Sequence, residues 1–160
     1  WLDLAALMEG CGIDAFLIAA AGCRVLMMER SPIVHALLMD GLRRGLDPGS
    51  PVANIVARMQ LRFGDMLDPG QHFEPQDVVY LDPMFPADRK SARSAKGMYL
   101  LQELLGPAAD ETALFARAQD LAGQRVVVKR GKRSPAITGQ SVDICFRGSS
   151  SRYDVYLQRS

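Results

Sequence analysis

The order of apolar runs and turns predicts an α/β fold: a mainly parallel sheet with helices on both faces, closed by an antiparallel hairpin. Three observations carry this. Strand-like and helix-like segments alternate over the first 130 residues. The runs "CRVLMMER" (23–30), "DVVYLD" (77–82) and "QRVVVKR" (124–130) are continuously apolar between charges, as strands covered on both faces are. The end, "VDICFR" and "YDVYLQ" joined by "GSSS", reads as two short strands around a flexible turn.

Each element has its own local reason. Residues 1–6 read as a first strand that ends near Asp3. "EGCG" (9–12) is a glycine loop, and "IDAFLIAAAG" (13–22) has the apolar density of a buried helix stopped by Gly22. After the strand 23–30, Ser31-Pro32 opens a helix, with serine as N-cap and proline at the first helical position. That helix runs to Gly45. A short helix over about 51–58 precedes the strand "MQLRFGD" (59–65). "LDPGQHFEPQ" is turn-rich and leads into the strand 77–82. Helices over about 92–105 and 110–122 follow, and the strand 124–130 leads to the hairpin.

The 160 residues fit one domain with a sizeable core. A net charge of +1 neither favours nor excludes a polyanionic partner, so clustering must decide. Cys11, Cys23 and Cys145 form no C-x-x-C pair, which argues against a zinc site and fits small buried thiols in a reducing cytoplasm. No apolar run approaches the roughly 18 residues of a membrane span. "WLDLAALMEG" has no basic leader and opens inside core-like sequence, so the chain is expected to lack an N-terminal region.

Parallel sheets bind ligands at the carboxyl ends of their strands, so the residues just past each strand are the candidates. After the first come Asp3 and the loop of Gly10 and Gly12, where glycine lets the backbone approach a ligand. Asp14 lies in the first helical turn, where an acid also complements the helix dipole. Glu29 and Arg30 end the second strand, the place where nucleotide-binding sheets grip ribose hydroxyls. Asp65 and Met66 follow the third; an acid there can hold an adenine amine and a methionine can pack on its ring. The fourth ends in "DPMF". Asp82 and the carbonyl of Pro83 can accept hydrogen bonds from an aromatic amine and aim its lone pair. Phe85 can stack on the base, which contributes roughly 1–3 kcal/mol.

"DPMF" resembles the [D/N]-P-P-[F/Y] tetrapeptide of S-adenosylmethionine-dependent methyltransferases that act on amino groups of nucleobases. "GCRVLMMERSPIVHALLMDGLRRG", "VVYLDPMFP" and "RVVVKR" together resemble the ribosomal RNA small-subunit methyltransferase J family. The resemblance implies a Rossmann-like class I methyltransferase with a seven-stranded sheet. It implies transfer of a methyl group from S-adenosylmethionine to the N2 amine of a guanosine in 16S rRNA, in the cytoplasm. Residues 1–160 would be the catalytic domain. The family's cofactor contacts fall on Ile13, Asp14, Glu29, Arg30, Asp65, Met66 and Asp82. Its first motif resembles D-A-T-A-G-L-G-R-D-A-F. This chain reads "DLAALMEGCGIDAF", longer between Asp3 and Asp14, with Ile13 where an arginine is usual.

Two basic clusters flank "DPMF". Arg89, Lys90, Arg93 and Lys96 lie in "DRKSARSAKG"; Arg125, Lys129, Arg130, Lys132 and Arg133 lie in "RVVVKRGKR". Because both follow strands of one sheet, both are expected at the ligand edge, in contact with RNA phosphates. His35 and His72 have no partner at metal-ligand spacing, and the transfer needs no metal.

Overall fold

The computed structural model describes residues 3–8, 12–83, 110–137 and 140–158. Its elements in chain order are β1 (Asp3–Met8), α1 (Ile13–Ala20), β2 (Arg24–Glu29), α2 (Pro32–Gly45), α3 (Ala53–Val56), β3 (Met59–Phe63), β4 (Gln76–Asp82), α4 (Glu111–Leu121), β5 (Ala122–Gly131), β6 (Ile144–Arg147) and β7 (Ser151–Leu157). The strands lie in the order β3-β2-β1-β4-β5-β7-β6. Strands β1 to β5 pair in parallel, and β7 runs antiparallel between β5 and β6.

Local chemistry fixes the helix ends. Gly12 precedes α1 in the left-handed region, at φ 72°. Ser31 caps α2, its hydroxyl accepting from the Val34 N–H, with Pro32 at the first position. Asp110 caps α4 by accepting from the N–H groups of Thr112 and Ala113. Capping of this kind contributes about 1 kcal/mol per helix.

The core has two layers, one on each face of the sheet. Ala15 and Ala19 of α1 pack with Val25, Met27, Val78 and Tyr80. On the other face Leu114, Phe115 and Ala118 of α4 pack with Val79, Leu81, Val126, Val128 and Tyr156. Strand alternation produces this division: Val78, Tyr80 and Asp82 share one face of β4, and Val79 and Leu81 the other.

Two expectations need correction. Strand β1 spans Asp3–Met8 and does not end near Asp3. Asp3 pairs with Arg24 at the beginning of β2, whereas Met8 pairs with Asp82 at the end of β4. Asp3 therefore starts the strand, at the edge opposite the ligand end. The apolar run through Met8 outweighed the acid as a boundary signal. Cys11 lies outside the described residues, and the other two cysteines are less buried than expected: Cys23 is half-buried, and Cys145 is exposed on the edge strand β6.

Candidate active site

At the carboxyl edge of the sheet, β1 carries the register for its neighbours. Leu7 pairs with Met28 on one side and Leu81 on the other, so the next residues, Glu29 and Asp82, flank Met8. The last parallel pair between β4 and β5 is Leu81 with Val128, which leaves Asp82 and Lys129 as the following residues. Three chemically active side chains are thus set out along one edge by pairing alone.

Lys129 Nζ donates to Asp82 Oδ2 at 3.1 Å and to Asp14 Oδ2 at 2.7 Å. The Tyr80 hydroxyl donates to the same Asp14 oxygen at 2.6 Å. The three charged side chains are 18% (Asp14), 24% (Asp82) and 28% (Lys129) exposed, enough to meet a ligand yet shielded enough for the pairing to matter. Burial raises the Asp82 carboxyl above the ordinary aspartate range, and the adjacent ammonium offsets this only in part. Burial also works on Asp14, but hydrogen bonds from Lys129 and Tyr80 outweigh it and hold that carboxyl below the ordinary range. Lys129 is desolvated too, yet its two carboxylates keep its pKa raised. Burial and the bond to Asp14 raise the Tyr80 phenol, so it stays a donor.

Glu29 is 2% exposed, and its Oε1 accepts from the Ser31 N–H at 2.6 Å. The acid at the end of β2 is fixed in place by the start of α2. Its backbone carbonyl accepts from Gly64 N, which ties the ends of β2 and β3 together. Past β3, Asp65 accepts from the Leu67 N–H at 2.9 Å and lies 3.8 Å from Arg30. The two pairs of expected cofactor contacts are therefore each other's neighbours. Pro83 is buried directly after Asp82.

Several expected site residues go elsewhere. Ile13 is 65% exposed and lines an apolar groove of about 440 Å³ with Phe16, Leu37 and Leu38, away from the carboxylates. Met66 is 3% exposed and belongs to the core with Met28 and Leu81, so it supports the edge from beneath. Arg130 is buried on the opposite face; it donates to Glu111 Oε2 at 3.0 Å and to the Pro135 carbonyl at 2.9 Å. Lys129 is committed to two carboxylates. Neither of these cations is a surface phosphate contact, because the strand turns alternate residues inward to acids on both faces. Arg125 pairs with Val78 near the start of β4, at the wrong edge. Only Lys132 and Arg133 of that cluster stand exposed on the turn past β5. Gly10, Phe85, Arg89, Lys90, Arg93 and Lys96 lie outside the described residues.

Tyr80 is the participant that sequence reading passed over, as one apolar residue of a core strand. The period of two was the available signal, since it places Tyr80 on the face of Asp82.

The family model described as "Putative SAM-dependent methyltransferase" matches residues 3–158, nearly the whole chain. The chain belongs to that family. Within this S-adenosylmethionine-dependent methyltransferase family, it is 46% identical over 153 residues to the ribosomal RNA small subunit methyltransferase J of Pseudomonas fluorescens, covering 94% of this chain and 58% of the relative. It is 44% identical over 154 residues to the methyltransferase J of Dechloromonas aromatica, covering 94% of this chain and 62% of the relative. The resemblance drawn from the motifs is borne out, and the chain spans about 60% of the length of these relatives. A crystal structure of an S-adenosylmethionine-dependent methyltransferase from Neisseria gonorrhoeae superposes with a TM-score of 0.75 at 34% identity, covering 98% of this chain and 61% of the other. The magnesium protoporphyrin IX methyltransferase of Synechocystis shares the fold at a TM-score of 0.61 and 14% identity, covering 99% of this chain and 70% of the other.

The family's first motif can now be placed. Counted back from Asp14, its opening acid falls on Ala6 within β1, and no insertion is needed.

Proposed function

We propose that residues 1–160 form the catalytic domain of an enzyme that methylates the N2 amine of a guanosine in 16S rRNA, working in the cytoplasm. The observation that carries this reading is Asp82, a carboxylate at the end of β4, half-shielded and held by Lys129, in a chain 46% identical to a ribosomal RNA small subunit methyltransferase J. The strand order, with β7 antiparallel between β5 and β6, supports a class I methyltransferase fold.

The residues present fit S-adenosylmethionine in kind and order. The N-terminus of α1 has no side-chain cap, which leaves its first-turn N–H groups for a carboxylate, and Gly12 brings the backbone close. Glu29 supplies the acid for a ribose diol, and Asp65 an acceptor for an adenine amine. When bound, the cofactor supplies an electrophilic methyl group on a positively charged sulfur. The chain's own task is to present the amine. Its lone pair is delocalised into the guanine ring, so it must be turned toward the methyl group by acceptors on its hydrogens. Asp82 and the Pro83 carbonyl serve as those acceptors, preorganised by proline. Asp82 and the Pro83 carbonyl would hold the amine while the bound cofactor supplied the methyl group, and one amine proton would pass to solvent. The cluster of Asp14, Lys129 and Asp82 carries a net charge of −1, which favours the incoming cationic sulfur.

The exposure of Lys132 and Arg133 past β5 supports contact with RNA phosphates there. The target base has to leave its stack to reach Asp82. The deciding experiment is methylation of small-subunit RNA and of DNA with labelled S-adenosylmethionine, followed by nucleoside analysis. N2-methylguanosine is expected. N6-methyladenosine would instead assign another nucleic-acid amine as substrate. No product, with no cofactor binding by calorimetry, would leave a module without this activity.

A further inference from the structure

Lys129 joins two acids that are remote in sequence, Asp14 by 115 positions and Asp82 by 47. An ammonium has three protons, so one lysine can serve both carboxylates at once. The bonds fall on Oδ2 of each acid, and Tyr80 adds a further donor on the Asp14 side. Four groups on three elements converge here. Asp14 comes from α1, Tyr80 and Asp82 from β4, and Lys129 from β5. Tyr153 of β7 stands opposite Lys129 in the register and 6.5 Å from the Tyr80 ring. Of the titratable groups facing Asp82, namely Asp14, Tyr80, Lys129 and Tyr153, Lys129 is the one cation among the described residues. Without it two carboxylates would face each other, and one would take up a proton. A protonated Asp82 would present a donor where the amine needs an acceptor.

We propose that Lys129 is a positioning residue for methyl transfer: it engages one oxygen of Asp82, leaves the other to accept from the substrate amine, and ties the end of β4 to the first turn of α1. This rests on the methyl-transfer reading above. It assigns Lys129 a different role from the RNA contact that its basic neighbourhood implies. The link to Asp14 also means that the cofactor loop and the amine acceptor share one brace. A shift at either end is felt at the other.

The test uses Lys129→Met, which keeps the length and removes the charge, and Lys129→Arg, which keeps the charge. In steady-state methylation of small-subunit RNA, Lys129→Met is expected to lower kcat roughly 100-fold, the scale of a misplaced reacting group. Its KM for RNA should stay within about threefold, since no phosphate contact is lost. The acid limb of its kcat profile should move to higher pH, and Lys129→Arg should recover most of the rate. A kcat retained with a raised KM for RNA would overturn the proposal in favour of a phosphate contact. A lost kcat with an unmoved acid limb and no rescue by arginine would overturn it in favour of simple structural support. Carbon NMR titration of the Asp14 and Asp82 carboxyls gives a second readout that needs no turnover. Both midpoints should rise in Lys129→Met, and unchanged midpoints would refute the bridge. Should the unsubstituted protein transfer no methyl group, the functional reading falls, while the titration still decides whether the brace exists.

Discussion

Lys129 and Arg130 on one side, and Lys132 and Arg133 on the other, belong to a single basic stretch and meet opposite fates. The first two lie on β5, where alternation sends one to each face of the sheet, and each finds acids: Asp14 and Asp82 for Lys129, Glu111 for Arg130. The second two lie past the strand on an exposed turn. That turn is braced from below by Arg152, which donates to the carbonyls of Gly131 and Lys132 and forks onto the Asp154 carboxylate. The lesson is that a run of positive charge states how many cations there are and leaves their use to the backbone. On a strand they become internal struts, and on a turn they remain available to a polyanion.

This contrast can be broken most forcefully at its inner end. Asp82→Ala should reduce methyl transfer by roughly 1,000-fold or more, the scale seen when a preorganised polar group is removed from a reacting centre. The fold should persist, since the chain holds Lys129 through Asp14 as well; activity assays beside circular dichroism check both halves. Near-native turnover would refute the role given to Asp82.

Arg130→Met should cost about 2 kcal/mol in urea unfolding, less than the ~3–5 kcal/mol of a fully buried pair because Glu111 is 39% exposed. The salt dependence of RNA binding should not change with it. If the salt slope falls as it would for an outer residue, the division between struts and free cations is wrong.

Lys132→Ala and Arg133→Ala should each lower the slope of log affinity against log salt by about one, the signature of one lost phosphate contact. Their unfolding midpoints should stay within about 0.5 kcal/mol of the parent.

The smallest effect expected is a split in pH response. The Asp14 carboxyl is lowered in the fold, so its contribution to stability is present above the ordinary aspartate range and is lost as pH falls through its native value. Asp82 is raised by burial, so its sign is reversed: the folded chain takes up that proton more readily, and stability declines as pH rises through its native value. Activity should follow Asp82 and fall as pH drops through a midpoint above the usual aspartate value. Urea midpoints and kcat measured across pH 3–7 (a range of about four units) separate the two.

How much of this was legible in the sequence varies with the kind of signal. The alternation of elements, the serine and proline that start α2, and the terminal hairpin are local in origin and were readable. The order of β7 between β5 and β6 is a matter of pairing between distant segments. The strand-end rule located Glu29, Asp65 and Asp82 at the proper edge but misplaced Asp3, because an acid was weighed above the apolar run that continues to Met8. Met66 follows from the strand-end neighbourhood and Ile13 from the family resemblance, while their side chains answer to the core and to the groove. The pairing of Lys129 with Asp14 and Asp82 is invisible to any local pattern, since it needs α1, β4 and β5 to be assembled first.

Gly12 bears on how this chain could depart from its relatives without losing its site. Its φ of 72° is a conformation that side chains disfavour, and a Cβ there would lie 2.9 Å from Leu38 Cδ2 on α2. The entry into α1 is thereby set by two independent constraints, and Asp14 follows two residues later. A side chain at Gly12 would have to strain the backbone and displace Leu38 at once, so drift at this position should cost the chain the direction of α1 and, with it, the carboxylate that Lys129 grips.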